Sequence, residues 1–164
     1  MGPAHFGVAF AAKPLAPKVP LWALLIASQA LDLLCFGFIA AGIEHTGTSQ
    51  TDLAHGIQIL AAPSLAWSHG LTMSAVWSVL AAGIALIALR DRRASAIVGL
   101  VVFSHWLLDF IVHGRYLPVF FDPSLVVGLG LWGSGPGLIA SGILEAGLLA
   151  TGIATYWMWR KRIG

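Results

Sequence analysis

Four long apolar stretches divide the chain: Leu21 to Ala41, about Leu65 to Leu89, about Ala94 to Val112, and about Leu138 to Trp159. The charged residues gather between them. At 1.5 Å per residue each stretch is long enough to cross a hydrocarbon core of roughly 30 Å, so the pattern predicts four spanning helices. The expected fold class is all-α, an integral membrane four-helix transmembrane bundle forming a single domain over residues 1–164. The first dozen residues depart from this pattern. "HFGVAFAA" is apolar but spans only about 12 Å as a helix, and Pro14, Pro17 and Pro20 separate it from the first long stretch. It is expected to be a short N-terminal re-entrant or interfacial segment, docked on the bundle rather than crossing the bilayer.

Charge placement sets the expected orientation. Lys13 and Lys18 precede the first stretch, Arg90, Arg92 and Arg93 separate the second from the third, and Arg160, Lys161 and Arg162 follow the fourth. Only Arg115 is left for the opposite side. The positive-inside rule then puts both termini in the cytoplasm of a multi-pass cell (inner) membrane protein. Composition agrees: 58% of residues are hydrophobic, 10% are charged and the mean hydropathy is +0.85, far outside the soluble globular range. The sequence pI near 9.0 reflects these topology-setting residues, so no nucleic-acid partner is indicated. Cys35 alone makes neither an intrachain disulfide nor a thiolate zinc motif, and is read as a packing residue. The N-terminus lacks a basic start before its apolar run and does not read as a cleavable signal peptide.

Ionisable groups at bilayer depth cost several kcal/mol unless they are paired or line a cavity, so each one inside a span calls for a reason. Asp32 lies about 17 Å along the first helix from Leu21. His69 falls near the outer start of the second span, His105 and Asp109 in the outer half of the third, and Glu145 about two turns into the fourth. Four helices thus each bring an ionisable residue to a similar depth, where a small bundle can gather them. His105 and Asp109, four residues apart, share one helical face and offer two ligands from one helix. Histidines and carboxylates without thiols suit a divalent metal, zinc foremost and manganese or iron next. Gln29, one turn from Asp32, either orients it or bridges helices. His113 falls at the membrane edge and is explained by solvation, as are Glu44, His45, Asp52 and His55 in the outer loop. Trp22, Trp67, Trp106, Trp132, Trp157 and Trp159 read as an interfacial belt. The stripe Gly142, Ala146, Ala150, Ala154 reads as a close helix-packing surface.

Two of these stretches carry a resemblance. "SHWLLDFIVHGRYLP" is similar to the S-H-x-x-x-D element of the YdjM-like membrane-bound metal-dependent hydrolases, and "WSHGLTMSAVW" to their [ST]-H-S element at the head of the preceding helix. A histidine close to the initiator methionine and an aspartate late in the next helix also resemble that family, matched by His5 and Asp32. The resemblance covers about Met1 to Pro123 and implies His5, Asp32, His69, His105 and Asp109 as metal or active-site residues. Three departures stand out. "QALDLL" replaces the P-D-x-D run of many members, Gly70 replaces the serine after His69, and Glu145 has no motif counterpart.

The functional expectation is a membrane-embedded metal-dependent hydrolase opening toward the outer leaflet and acting on an ester or phosphoester of a lipid or small molecule. A divalent metal held by His69, His105 and Asp109, completed by Asp32 or His5, would acidify a water, with Glu145 or Asp32 as the catalytic carboxylate. Two other classes stay open: a proton or cation relay through the same groups, and an accessory subunit of a membrane complex, with His69 and His105 as haem ligands in one version.

Overall fold

A computed structural model describes residues 2–45, 65–121 and 125–163. Asp52, His55 and Pro123 lie outside them. The described residues form α1 (Gly2–Ala12), α2 (Leu21–Ser28), α3 (Ala30–Ala40), α4 (Leu71–Leu89), α5 (Arg92–Val112) and α6 (Gly135–Ile163), with a two-residue antiparallel pairing of β1 (Leu117–Pro118) with β2 (Val126–Val127). The described residues are all-α apart from that short pairing. Among the described residues three helices, α4, α5 and α6, are long and apolar enough to cross a membrane. The outward positions of α4 and α6 are large and apolar, as at Ile84, Ile87, Ile139 and Ile143, which fits a membrane protein.

The first apolar stretch is not one straight helix. α2 and α3 meet at Gln29, whose φ of −108° and ψ of 8° leave the helical region, and the two halves bend by 56°. Only together do they pass the length and hydropathy test for a span. No proline or glycine marks this break. The second stretch starts as a helix at Leu71 rather than Leu65, since residues 65–70 form turns closed by the His69 N–H donating to Leu65 O at 2.8 Å.

α5 is the central element, packed by α4 on one side and by α1, α2 and α3 on others. Its N-terminus is capped by Asp91, whose carboxylate accepts from the Ala94 N–H at 3.1 Å and pairs with Lys18 Nζ at 2.9 Å. Lys13 meanwhile lies over the Trp159 ring at 5.6 Å. These contacts gather the N-terminal turn, the α4–α5 connection and the end of α6 at one basic end of the bundle.

α1 is docked in the protein, not trailing from it. It packs between α5 and α6, with Ala4, His5 and Ala9 buried. Two glycines permit the approach. A Cβ on Gly7 would stand 2.5 Å from Leu148 O, and one on Gly152 would run into the Gly7 carbonyl. The close packing of α6 therefore uses Gly152 and buried Ser141, whereas Gly142, Ala146, Ala150 and Ala154 are exposed, contrary to the sequence expectation. Trp106 also departs from the belt: it is buried and stacks between Phe103 and Phe110.

Candidate metal centre

α5 presents His105, Asp109 and His113 at successive steps of four, hence on one face. Around that face the fold assembles Asp32 from α3, His69 from the turn before α4 and His5 from α1. The contacts divide between the two oxygens of Asp109. Its Oδ2 lies 3.3 Å from His105 Nε2 and 3.7 Å from His69 Nε2. Its Oδ1 lies 3.5 Å from His5 Nε2 and 3.7 Å from His113 Nε2. Asp32 Oδ1 completes the first group, 3.4 Å from His69 Nε2 and 3.5 Å from His105 Nε2. All five metal-site residues expected from the sequence are brought together. His5, His105 and Asp109 form one group able to hold a metal ion, and Asp32, His69 and His105 form another.

The far side of three of these rings is fixed by hydrogen bonds. His105 Nδ1 lies 2.8 Å from Ser28 O, the final carbonyl of α2, made available where the helix breaks at Gln29. A carbonyl only accepts, so Nδ1 carries the proton and donates. His69 Nδ1 pairs with Ser68 Oγ at 2.8 Å, and His113 Nδ1 with Tyr116 Oη at 2.9 Å. His5 is held differently, by stacking on His105 with ring centroids 3.7 Å apart and planes 3° from parallel. Every one of the four imidazoles thus aims Nε2 at a carboxylate.

The donor set fits a divalent ion on two counts. With Nδ1 donating to Ser28 O, His105 Nε2 is left facing the carboxylate oxygens of Asp32 and Asp109, buried and with no hydrogen bond to either. Two carboxylates around this buried nitrogen call for a positive charge, supplied by a proton on Nε2 or by a bound divalent ion. The four Nε2–Oδ separations around Asp32, His69, His105 and Asp109 Oδ2 run from 3.3 to 3.7 Å. These exceed hydrogen-bond lengths of about 2.7–3.2 Å. Three of the four match instead the edge of a tetrahedron drawn around an ion with bonds of about 2.0–2.2 Å, which is about 3.3–3.6 Å, and the His69–Asp109 separation is slightly longer.

Three expectations need correction. His113 is not a solvent residue: its side chain is 12% exposed, within 3.7 Å of Asp109, and its ring lies 4.9 Å from that of Trp132. The chain returning from the hairpin covers it, with the Leu129 and Gly130 N–H groups donating to Phe110 O and His113 O at the end of α5. Gly130 adopts a φ of +74°, where a side chain would be strained. Trp132 is accordingly part of this wall rather than of a belt. Glu44 is also buried, accepting from the Ser68 N–H at 2.9 Å, and so ties the end of the α3 turn to the segment that carries His69. Glu145, in contrast, is half-buried on α6 and makes no ion pair or hydrogen bond to the cluster among the described residues. The place beside α5 that a four-span bundle would give to α6 is taken by α1, which brings His5 in place of Glu145.

Of the residues not singled out as functional, Ser68 and His113 were visible, one in the S-H pair and the other in the four-residue repeat. Ser28 and Glu44 left no signal in the sequence. No protein-family model, no curated protein and no solved structure matches the chain.

Proposed function

We propose that this chain is a membrane-embedded metal-dependent hydrolase, zinc-loaded, that cleaves an ester or phosphoester of a lipid at the outer half of the bilayer, as its resemblance to the YdjM-like hydrolases implies. In this reading α2 and α3 together make the fourth span, and the basic end of the bundle faces the cytoplasm. The observation that carries the proposal is the orientation of His105: Nδ1 spent on a carbonyl, Nε2 aimed without a hydrogen bond at two carboxylates. A bound divalent ion supplies electrophilic polarisation of the scissile oxygen and an acidified water.

The protein's own residues divide the remaining work. His105 is held with Nε2 toward the carboxylates because Ser28 O accepts from its Nδ1, and the hydrogen bond with Ser68 Oγ fixes the orientation of the His69 ring. Asp109, with a side chain only 4% exposed, is the fixed anchor. Asp32 is 35% exposed and marks the open side of the cluster, where substrate and water arrive. With Oδ1 turned to His69 and His105, its other oxygen, Oδ2, is the base that takes a water proton, the role the sequence also offered to Glu145. An apolar cavity of about 520 Å³ between α2, α4 and α5 leads from below the cluster toward the basic end, with Ala30 and Val102 at one extreme and Val19 and Leu89 at the other. It supports an acyl chain as part of the substrate.

The alternatives are less well supported. His69 and His105 approach the same oxygen of Asp32, which leaves no plane between them for a macrocycle. A relay needs further titratable groups, and α2 and α4 have none between the cluster and the basic end. The test is chelator-sensitive hydrolysis of phospholipid vesicles by purified protein, with metal analysis of His105→Ala and Asp109→Ala. Activity restored by zinc and metal lost in both variants is expected. Unchanged metal content in both would end the proposal.

A further inference from the structure

We infer that the cluster is a dinuclear centre in which Asp109 bridges two divalent ions, one on each carboxylate oxygen; this rests on the metal-hydrolase reading and deepens it. The first ion lies among Asp109 Oδ2, Asp32, His69 and His105. The second lies on Asp109 Oδ1, with His5 on one side and His113 closing the outer side. The contacts of the four Nε2 atoms fall on different oxygens: His105 at 3.3 Å and His69 at 3.7 Å on Oδ2, His5 at 3.5 Å and His113 at 3.7 Å on Oδ1.

The stack of His5 on His105 supplies the spacing. The two rings are parallel within 3° at 3.7 Å, and each directs Nε2 at a different oxygen of the same carboxylate. Two imidazoles side by side in this way bring two ions to a similar separation, and paired catalytic ions sit about 3.5–4 Å apart. The second half of the site is also built, not accidental. His5 is 1% exposed and placed by the Gly7–Gly152 crossing, and His113 is oriented by Tyr116 and walled by Trp132.

The count of ions narrows the substrate. One divalent ion neutralises the two carboxylates, whereas two leave two positive charges over at a buried site. An anionic phosphoester compensates them and a neutral carboxylic ester does not, so the preferred substrate is a phosphoester of a lipid.

The test is metal stoichiometry of the full chain in detergent, with manganese loading and electron paramagnetic resonance. Wild type should hold two ions per chain and show an exchange-coupled manganese pair. His5→Gln and His113→Gln should each fall to one ion with an uncoupled six-line spectrum. Circular dichroism confirms folding, and the less buried His113→Gln serves if His5→Gln misfolds. One ion in wild type overturns the dinuclear centre but leaves the hydrolase reading standing, and no ion overturns both. Two uncoupled ions, or a coupled pair that survives both substitutions, overturns the bridge as assigned.

Discussion

Ser68→Ala separates a metal-orienting hydroxyl from a packing one. Ser68 is fully buried, and its Oγ is 2.8 Å from His69 Nδ1. Its backbone N–H bond to Glu44 Oε1, at 2.9 Å, survives loss of the hydroxyl, so the turn keeps its shape. The folding cost is then one neutral hydrogen bond, about 0.5–1.5 kcal/mol. The metal cost is larger, because the His69 ring loses the hydrogen bond that orients Nε2 toward the carboxylates. Loss of such a partner weakens metal affinity about 10–100-fold, or about 1.4–2.7 kcal/mol. Zinc competition against a chromophoric chelator measures the affinity, and the thermal midpoint of the metal-free protein measures the fold. If the midpoint falls while zinc affinity is unchanged, the hydroxyl only packs and His69 is not a ligand.

Other expectations follow from the same geometry. Asp32→Asn should lower chelator-sensitive hydrolysis by about 10²–10⁴-fold if its carboxylate is the base, whereas Glu145→Gln should leave metal content at the wild-type level. Gly152→Val drives a side chain into the Gly7 carbonyl and should destabilise the protein by about 1–3 kcal/mol in thermal or denaturant unfolding. The hydrogen bond from the Ala94 N–H, together with Lys18, holds the Asp91 carboxyl below its ordinary value. Its contribution is therefore complete above the unfolded value of about 3.9 and is lost as pH falls through the lowered one. The thermal midpoint should drop on acidification below about pH 4, and Asp91→Ala should show less of that drop.

Hydropathy made α4, α5 and α6 legible, because a long apolar run has few other uses. Depth along each run also identified Asp32, His69, His105 and Asp109 as groups at one level, while His5 came from the resemblance. Depth fixes height, however, and not which helix stands next to which. Glu145 has the right height, but α1 occupies the position beside α5 that would have brought α6 and its carboxylate in. The same limit explains the small-residue stripe of α6, where periodicity marked a face without saying whether anything covers it. His113 was misplaced because its cover comes from residues 125–133, far along the chain and returning over the end of α5. The break at Gln29 rests on tertiary contact as well: the Ser28 carbonyl released there is bonded by His105, which lies 77 residues away. Buried Glu44 is equally non-local, since its partner is in the segment leading to His69.

Elemental analysis of the intact purified chain, beside Asp109→Ala prepared in the same way, bears most directly on whether this cluster is a metal centre. At least one equivalent of zinc, manganese or iron per wild-type chain is expected, reduced to background in the variant while helical content is retained. A wild-type protein that is fully folded and metal-free, and that takes up no divalent ion on reconstitution, would contradict it.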